Sequence, residues 1–203
     1  MELDYIPTGK YFSVMNTDTR KNIMAEALRL FSEKGYDSVG TNEIVHQCGV
    51  SKPALYYYFE SKEKLLQSIV QEKCLALKTL ISSRSQSINS FEDMLMSAAD
   101  AYLKFTSENK EFMRLYFSLV FTPHSNKAYS IVRQEAEAIQ TIFEDLFNND
   151  NHFQSDKSFI AVSFIGLLNT FSTLILNHYL SYSEHVSKKM LELFLYGAKG
   201  AEK

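Results

Sequence analysis

The sequence predicts an all-α protein of about nine helices. Three observations carry that prediction. Only seven glycines and three prolines occur in 203 residues, too few to turn many β-hairpins. Apolar residues recur at three- and four-residue spacing in one stretch after another, and no stretch reads convincingly as a strand. Capping and turn residues separate those stretches. A hydrophobic content of 45% is that of a globular chain with a real core.

In chain order, residues 1–16 show no helical period and contain Pro7 and Gly9, so a flexible N-terminal arm is expected. Its single lysine, Lys10, is a poor basis for the minor-groove reach that some arms make. Met15, just before the first patterned helix, is an alternative start. Residues 18–34 form that helix, capped by Thr17 or Asp18, with Ile23, Ala27, Leu30 and Phe31 as its buried stripe and Gly35 at its end. Thr41 to Cys48 gives a second, short helix with Ile44, Val45 and Cys48 inward. Gly49 follows, where a helix end favours a residue that accepts positive φ, and Val50 fills the corner. Ser51 can cap a third helix, and Pro53 falls in its first turn, where a missing N–H costs nothing. A helix this short buries one stripe. Leu55 and Phe59, four apart, are the natural core pair, which turns Tyr57 and Tyr58 outward. Helix, glycine turn and capped second helix make a helix-turn-helix signature, with Ser51, Lys52 and Ala54 at the end that such a unit presents to the major groove.

Ser61 caps a fourth helix, expected from Lys62 to about Ser83, with Ile69, Lys73, Leu77 and Leu80 on one face. Residues 82–90 read as a serine-rich loop, in which Ser90 and Asp93 have capping-box spacing. Next come a helix over 91–107 with Met94, Leu95, Ala98, Tyr102 and Phe105 inward, and a nearly all-apolar helix over 111–121 stopped by Thr122-Pro123. A helix over 126–147 follows, with Ile131, Ala138, Ile142 and Phe143 inward, then a turn at 148–151. Residues 155–182 form a long helix with no charged residue between Lys157 and Glu184. That length could span a bilayer. Ser163, Asn169, Thr170, Ser172, Thr173, Asn177 and His178 are spread through it, however, and a helix apolar all round is also what a buried one looks like. A last helix covers 184–199, with Val186, Met190, Leu193, Phe194 and Tyr196 available for packing.

Composition excludes several functions. The net charge is −3, and lysines 52, 62 and 64 are matched by glutamates 43, 60 and 63, so charge alone does not point to nucleic acid. A reader of this kind relies on helix N-termini, hydroxyls and a few lysines, which implies a modest salt dependence per half-site. Cys48 and Cys74 are far apart, which suits a reducing cytoplasm, and no signal-peptide pattern opens the chain. His46, His124, His152, His178 and His185 lack metal-ligand spacing. No G-x-S-x-G, P-loop or G-x-G-x-x-G string occurs. Neither metal, cofactor nor enzymatic activity is expected.

Thr41, Ile44, Gly49-Val50-Ser51, Leu55-Tyr56, Phe59, Lys62 and Leu65, with Ile23, Ala27, Phe31 and Gly35-Tyr36 upstream, closely resemble the DNA-binding motif of the TetR (tetracycline-repressor-like) family. The likeness covers roughly residues 18–66. Val45 and Cys48 stand where the family often has alanine, which implies slightly different helix spacing. The resemblance implies a helix-turn-helix domain over 17–66 and a ligand-binding and dimerisation domain over 67–203. It implies contacts to double-stranded operator DNA from Thr41, Ser51, Lys52, Pro53, Ala54, Tyr56, Tyr57, Tyr58 and Lys62. It also implies a cavity in 91–180 for a small-molecule effector. Its candidate lining is Met94, Tyr102, Phe105, Met113, Tyr116, Phe117, Phe121, Phe164, Phe171 and Tyr179, with Asn169, Asn177 and His178 to orient the guest. Few charges fall on the inward faces, which favours an apolar or aromatic ligand. The last two long helices would pair with their copies in a homodimer, and one subunit has few places to hide so much uncharged surface. A two-fold dimer reads half-sites roughly 34–36 Å apart, hence a near-palindrome. The expected function is a ligand-released repressor. The alternatives are an activator or co-repressor-dependent regulator of the same fold, a helical enzyme or lipid carrier without DNA binding, and a membrane-anchored regulator.

Overall fold

A computed structural model describes residues 8–85, 90–148 and 156–200. Among these residues there are nine helices and no strand: α1 (Thr8–Lys34), α2 (Thr41–Cys48), α3 (Lys52–Phe59), α4 (Lys62–Ser85), α5 (Phe91–Glu108), α6 (Lys110–Val120), α7 (Lys127–Asn148), α8 (Lys157–Leu176) and α9 (Glu184–Gly200). The all-α reading and its helix-turn-helix are borne out. The chain divides into two compact units, Met1–Ile69 and Val70–Lys203, with the boundary inside α4.

The first unit is built around the stripe expected of α1. Ile23, Ala27, Leu30 and Phe31 are buried together with Ile44, Leu55, Phe59, Leu65 and Leu66. The Phe31 ring meets Tyr36 edge-on at 5.1 Å. One boundary is corrected. α1 begins at Thr8, so residues 8–16 are helical and not part of an arm, and residues 1–7 lie outside the described residues. After Pro7 the chain holds no proline and a single glycine before Asp18, so nothing in it stops the helix from extending backwards. In α2, Ile44 is fully buried, while Val45 and Cys48 are only half-buried.

The second unit centres on α5, which packs on α6, α8 and α9, while α7 packs on α6 and α8. Aromatic rings link these helices. Phe143 lies edge-on to both Tyr102 and Phe164, and Phe147 meets Phe91, Phe164 and Phe194. The buried stripe of α7 is Ala128, Val132, Ile139, Phe143 and Phe147. Of the expected Ile131, Ala138, Ile142 and Phe143, only Phe143 belongs to it. The helix is rotated because its two large rings decide which face is buried. α8 is shorter than the expected 155–182. It ends at Leu176, and His178 takes a left-handed φ of 61°. Tyr179 N–H donates to Leu174 O and His178 N–H to Ile175 O, the pairing of a Schellman motif. The expected turn at 148–151 and the middle of the serine-rich loop fall largely outside the described residues.

Candidate functional site

The glycine turn and its two helices have the geometry that their residues imply. Gly49 sits at φ 65°, ψ 28°, with its N–H donating to His46 O and that of Val50 to Val45 O, so α2 also closes by a Schellman pairing. Ser51 is the N-cap of α3. Its Oγ accepts from Ala54 N–H at 3.3 Å, and Pro53 occupies the first turn. Leu55 is 0% exposed and Phe59 3%, which leaves Tyr57 75% exposed and Tyr56 40%. Tyr58 is half-buried, its ring edge-on to Tyr57 at 5.2 Å. Ser51, Lys52 and Pro53 are exposed, Ala54 half-buried, and Thr41 half-buried at the start of α2. One surface therefore combines a capped helix N-terminus, a lysine and phenolic hydroxyls, all of which can donate to phosphate oxygens or base edges.

Lys62 is less free than the other eight candidates. Its Nζ lies over the Tyr36 ring, 4.2 Å from the centroid, and burial lowers its pKa. The cation thus holds the start of α4 to the end of α1. Burial likewise raises the Tyr36 pKa, with Glu63 and Asp37 adding to the shift. The sequence reading missed the junction between α3 and α4. Glu60 adopts a φ of 58° without being glycine, and Ser61 N–H donates back to Phe59 O. This is a γ-turn, and no glycine marks it.

In the second unit the candidate ligand residues separate into two groups. Tyr102, Phe105, Met113, Tyr116 and Phe164 are buried, with Met94, Phe117 and Asn169 half-buried. They form connected pairs. Tyr102 Oη donates to Asn169 Oδ1 at 2.9 Å, and Phe105, Phe112, Tyr116 and Phe117 follow one another at 5.8–6.2 Å between centroids. Burial holds the Tyr102 and Tyr116 hydroxyls in the neutral form. The other group does not line the interior. Phe121 is 82% and Tyr179 81% exposed, and Asn177 and His178 are exposed. Phe121 comes after the last residue of α6, so the apolar stripe no longer governs it. Asn177 to Tyr179 belong to the turn that ends α8. Phe171 lines an open groove of about 380 Å³ with Leu180, Val186, Lys189, Glu192 and Leu193, alongside α9.

Polar partners inside this unit escaped the sequence reading. Thr106 and Ser172 hydroxyls meet at 3.1 Å in the core. Buried Asp100 accepts from Tyr182 Oη and Ser187 Oγ. Lys78 pairs with Glu135 at 2.8 Å, both largely shielded. Asp100 had left a signal, a lone acid between Ala98-Ala99 and Ala101-Tyr102.

The first unit is thus a helix-turn-helix of the DNA-reading class. The profile of the family described as "Bacterial regulatory proteins, tetR family" matches residues 23–69. The HTH-type transcriptional activator FasR of Mycolicibacterium smegmatis is 27% identical over 154 residues, covering 74% of this chain and 68% of that protein. The negative regulator of the biofilm operon, IcaR of Staphylococcus aureus, is 30% identical over 104 residues, 51% of this chain and 55% of that one. FadR of Bacillus subtilis, solved in complex with stearoyl-CoA, superposes with a TM-score of 0.75 at 16% identity, covering 87% of this chain and 98% of that one. Residues 23–69 thus match the DNA-binding domain of the TetR family, and the chain is similar to helix-turn-helix transcription regulators.

Proposed function

We propose that the protein is a homodimeric repressor that binds a near-palindromic operator through α3 and releases it when a small apolar or aromatic ligand enters the second unit. The carrying observation is the outward face of α3. Tyr57 is exposed beside a Ser51-capped N-terminus, while Leu55 and Phe59 anchor the same two turns. Thr41, Ser51, Lys52, Pro53, Ala54, Tyr56, Tyr57 and Tyr58 form the contact set, with Lys62 adding a phosphate contact from its place on Tyr36. The DNA-binding domain ends near residue 66. The rest of the chain senses ligand and dimerises through α8 and α9, with the whole acting in the cytoplasm.

The ligand set is Met94, Tyr102, Phe105, Met113, Tyr116, Phe117, Phe164 and Asn169. Its apolar character rests on this chain's own inward faces, since the likeness to the stearoyl-CoA-bound FadR is one of fold. The dimer has two arrangements, only one of which spaces the copies of α3 for DNA. A ligand that prefers the other empties the operator. Moving a 1:99 balance to 99:1 takes ~5.5 kcal/mol of differential affinity. α4, shared by both units, is the lever. An activator is the second reading, favoured by the likeness to FasR over most of that protein's length.

The test is selection of bound duplexes from a randomised library, with Tyr57→Ala alongside. Enrichment of a near-palindrome, bound on the order of 10-fold more weakly by the variant, supports the reading. No enrichment at low salt from a folded dimer refutes ligand-released repression. A thermal-shift screen in which only polar anions stabilise the protein refutes the ligand class.

A further inference from the structure

α3 carries few of the groups that read bases by hydrogen bonds, which bears on the operator binding proposed above, on which this inference rests. Two-pronged readout takes arginine or lysine to guanine and asparagine or glutamine to adenine, and a carboxylate accepts from cytosine. Of these residue types α3 holds Lys52 alone. The backbone at its start adds little. Pro53 has no N–H, Ala54 N–H donates to Ser51 Oγ and Leu55 N–H to Ser51 O, which leaves the N–H of Lys52. Successive residues of a helix are turned by about 100°. Leu55 and Phe59 face the core, and Tyr57 stands about 160° round from each. Pro53 and Ala54 flank Tyr57 on either side, at about 40° and 60°, while Lys52 is about 140° away. Tyr57 is 75% exposed, Pro53 is exposed and Ala54 half-buried. The arc turned furthest from the core therefore holds a pyrrolidine ring, a methyl group and a phenol. The phenol is also held in place. Its ring meets Tyr58 edge-on at 5.2 Å, and Tyr58 leans on buried Phe59 at 6.3 Å.

In the major groove the apolar feature of a base pair is the C5-methyl group of thymine. We propose that Pro53, Ala54 and the Tyr57 ring read thymine C5-methyl groups at successive base pairs of each half-site, while Lys52 contacts phosphate and carries no sequence preference. From Pro53 to Tyr57 the helix rises about 6 Å, close to two base-pair steps of about 3.4 Å, so the arc covers two or three consecutive pairs. The Tyr57 hydroxyl can donate to thymine O4 or to a purine N7, so it does not choose between bases. The charge balance agrees with apolar readout. Lysines 52, 62 and 64 are offset by glutamates 43, 60 and 63, so phosphate contacts supply less of the affinity and apolar contacts count for more. A 5-methylcytosine carries its methyl group at the same place in the groove. The methyl group, and not the hydrogen-bonding edge of thymine, is what α3 recognises.

The test uses the full chain and the near-palindrome selected from the randomised library. Successive A·T pairs should mark each half-site. Uracil in place of those thymines removes the methyl group and keeps the pairing. It should weaken binding about 4-fold per methyl in one half-site and on the order of 10-fold when both half-sites change. At the same positions 5-methylcytosine·guanine pairs should bind about 4-fold more tightly than plain cytosine·guanine pairs. Tyr57→Phe should keep the preference for thymine over uracil, and Tyr57→Ala should lose it at one position per half-site. Both variants should match the wild type in helical circular dichroism and melting, because Tyr57 is exposed. Lys52→Ala should return the same consensus with a salt slope lower by about 1 per half-site. Unchanged binding with uracil at every thymine overturns methyl readout and leaves operator binding standing. So does a Tyr57→Phe protein that loses the preference as fully as Tyr57→Ala. A Lys52→Ala consensus that changes at a guanine overturns it as well, by giving the readout to the lysine. No enriched sequence at low salt overturns methyl readout and operator binding together.

Discussion

Gly49 and Gly40 flank α2 and give a matched pair of substitutions with opposite backbone demands. Gly49 is left-handed at φ 65°, and Gly40 is extended at φ −92°, ψ 156°. A Cβ at either position meets nothing within 4 Å, so packing drops out and only the backbone decides. Gly49→Ala forces an L-residue into the left-handed region at about 1–2 kcal/mol, partly offset by about 0.4–1 kcal/mol from the stiffer unfolded chain, for a net loss near 1 kcal/mol. Gly49→Asn should lose less, because asparagine visits that region more readily. Gly40→Ala gains the same unfolded-state term and forfeits a similar amount as a poorer N-cap, for a net change near zero. The chain contains no tryptophan, so urea unfolding is best followed by helical circular dichroism, with amide exchange in α2 and α3 reporting the local unit. A Gly49→Ala protein as stable as wild type, or a Gly40→Ala protein that loses as much as Gly49→Ala, would refute the assignment of the turn.

Lys78→Ala should cost about 1–3 kcal/mol in urea unfolding, because it strands the shielded Glu135, whereas Arg133→Ala, from an exposed pair, should stay within about 0.5 kcal/mol. Burial pushes the Cys48 thiol up to about 11 and the Cys74 thiol up to about 12, with Glu26 and Glu135 adding to the respective shifts. Both should therefore react slowly with an aromatic disulfide reagent at pH 8 and quickly in urea, even though Cys48 is half-exposed. Equal rates in the two conditions would contradict this. The same shifts set an alkaline limit. Unfolded cysteines release protons near 9 and tyrosines near 10, while folded Cys74, Cys48, Tyr36, Tyr102 and Tyr116 keep theirs. Above pH 9 the native state binds more protons than the unfolded one, so stability should fall as pH rises through 9 to 12. A melting temperature that is flat between pH 8 and 11 would rule this out.

The helix-turn-helix was legible because every step of it is a local device. Gly49 supplies the turn, Ser51 the cap and Pro53 the first turn, while Leu55 and Phe59 fix the rotation that exposes Tyr57. None of these depends on a distant residue. The features that escaped are set by partners far along the chain. Ile131 and Val132 are equally apolar, and the rings that choose between them sit about three to four turns away on α7 at Phe143 and Phe147, held by Tyr102 and Phe164. The end of α8 was missed because His178 holds the left-handed position that glycine usually marks. For the same reason Asn177 and His178 were assigned to a cavity lining, although they lie exposed in the turn that ends α8.

α8 shows why composition alone could not assign that uncharged stretch. Lipid, a protein core and a second copy are all apolar surroundings, and each would select the same residues. It is long and apolar enough to cross a membrane, with 33% of its most apolar window buried in the subunit. The directions in which its polar groups point narrow the choice. Asn169 and Ser172 turn inward to Tyr102 and Thr106, so one side is fixed to α5 by hydrogen bonds. Phe164 is committed to Phe143, Phe147 and Phe194. What remains outside is a stripe, not a circumference. A lipid-facing helix is apolar around its whole circumference, whereas α8 gives one side to α5 through Asn169 and Ser172.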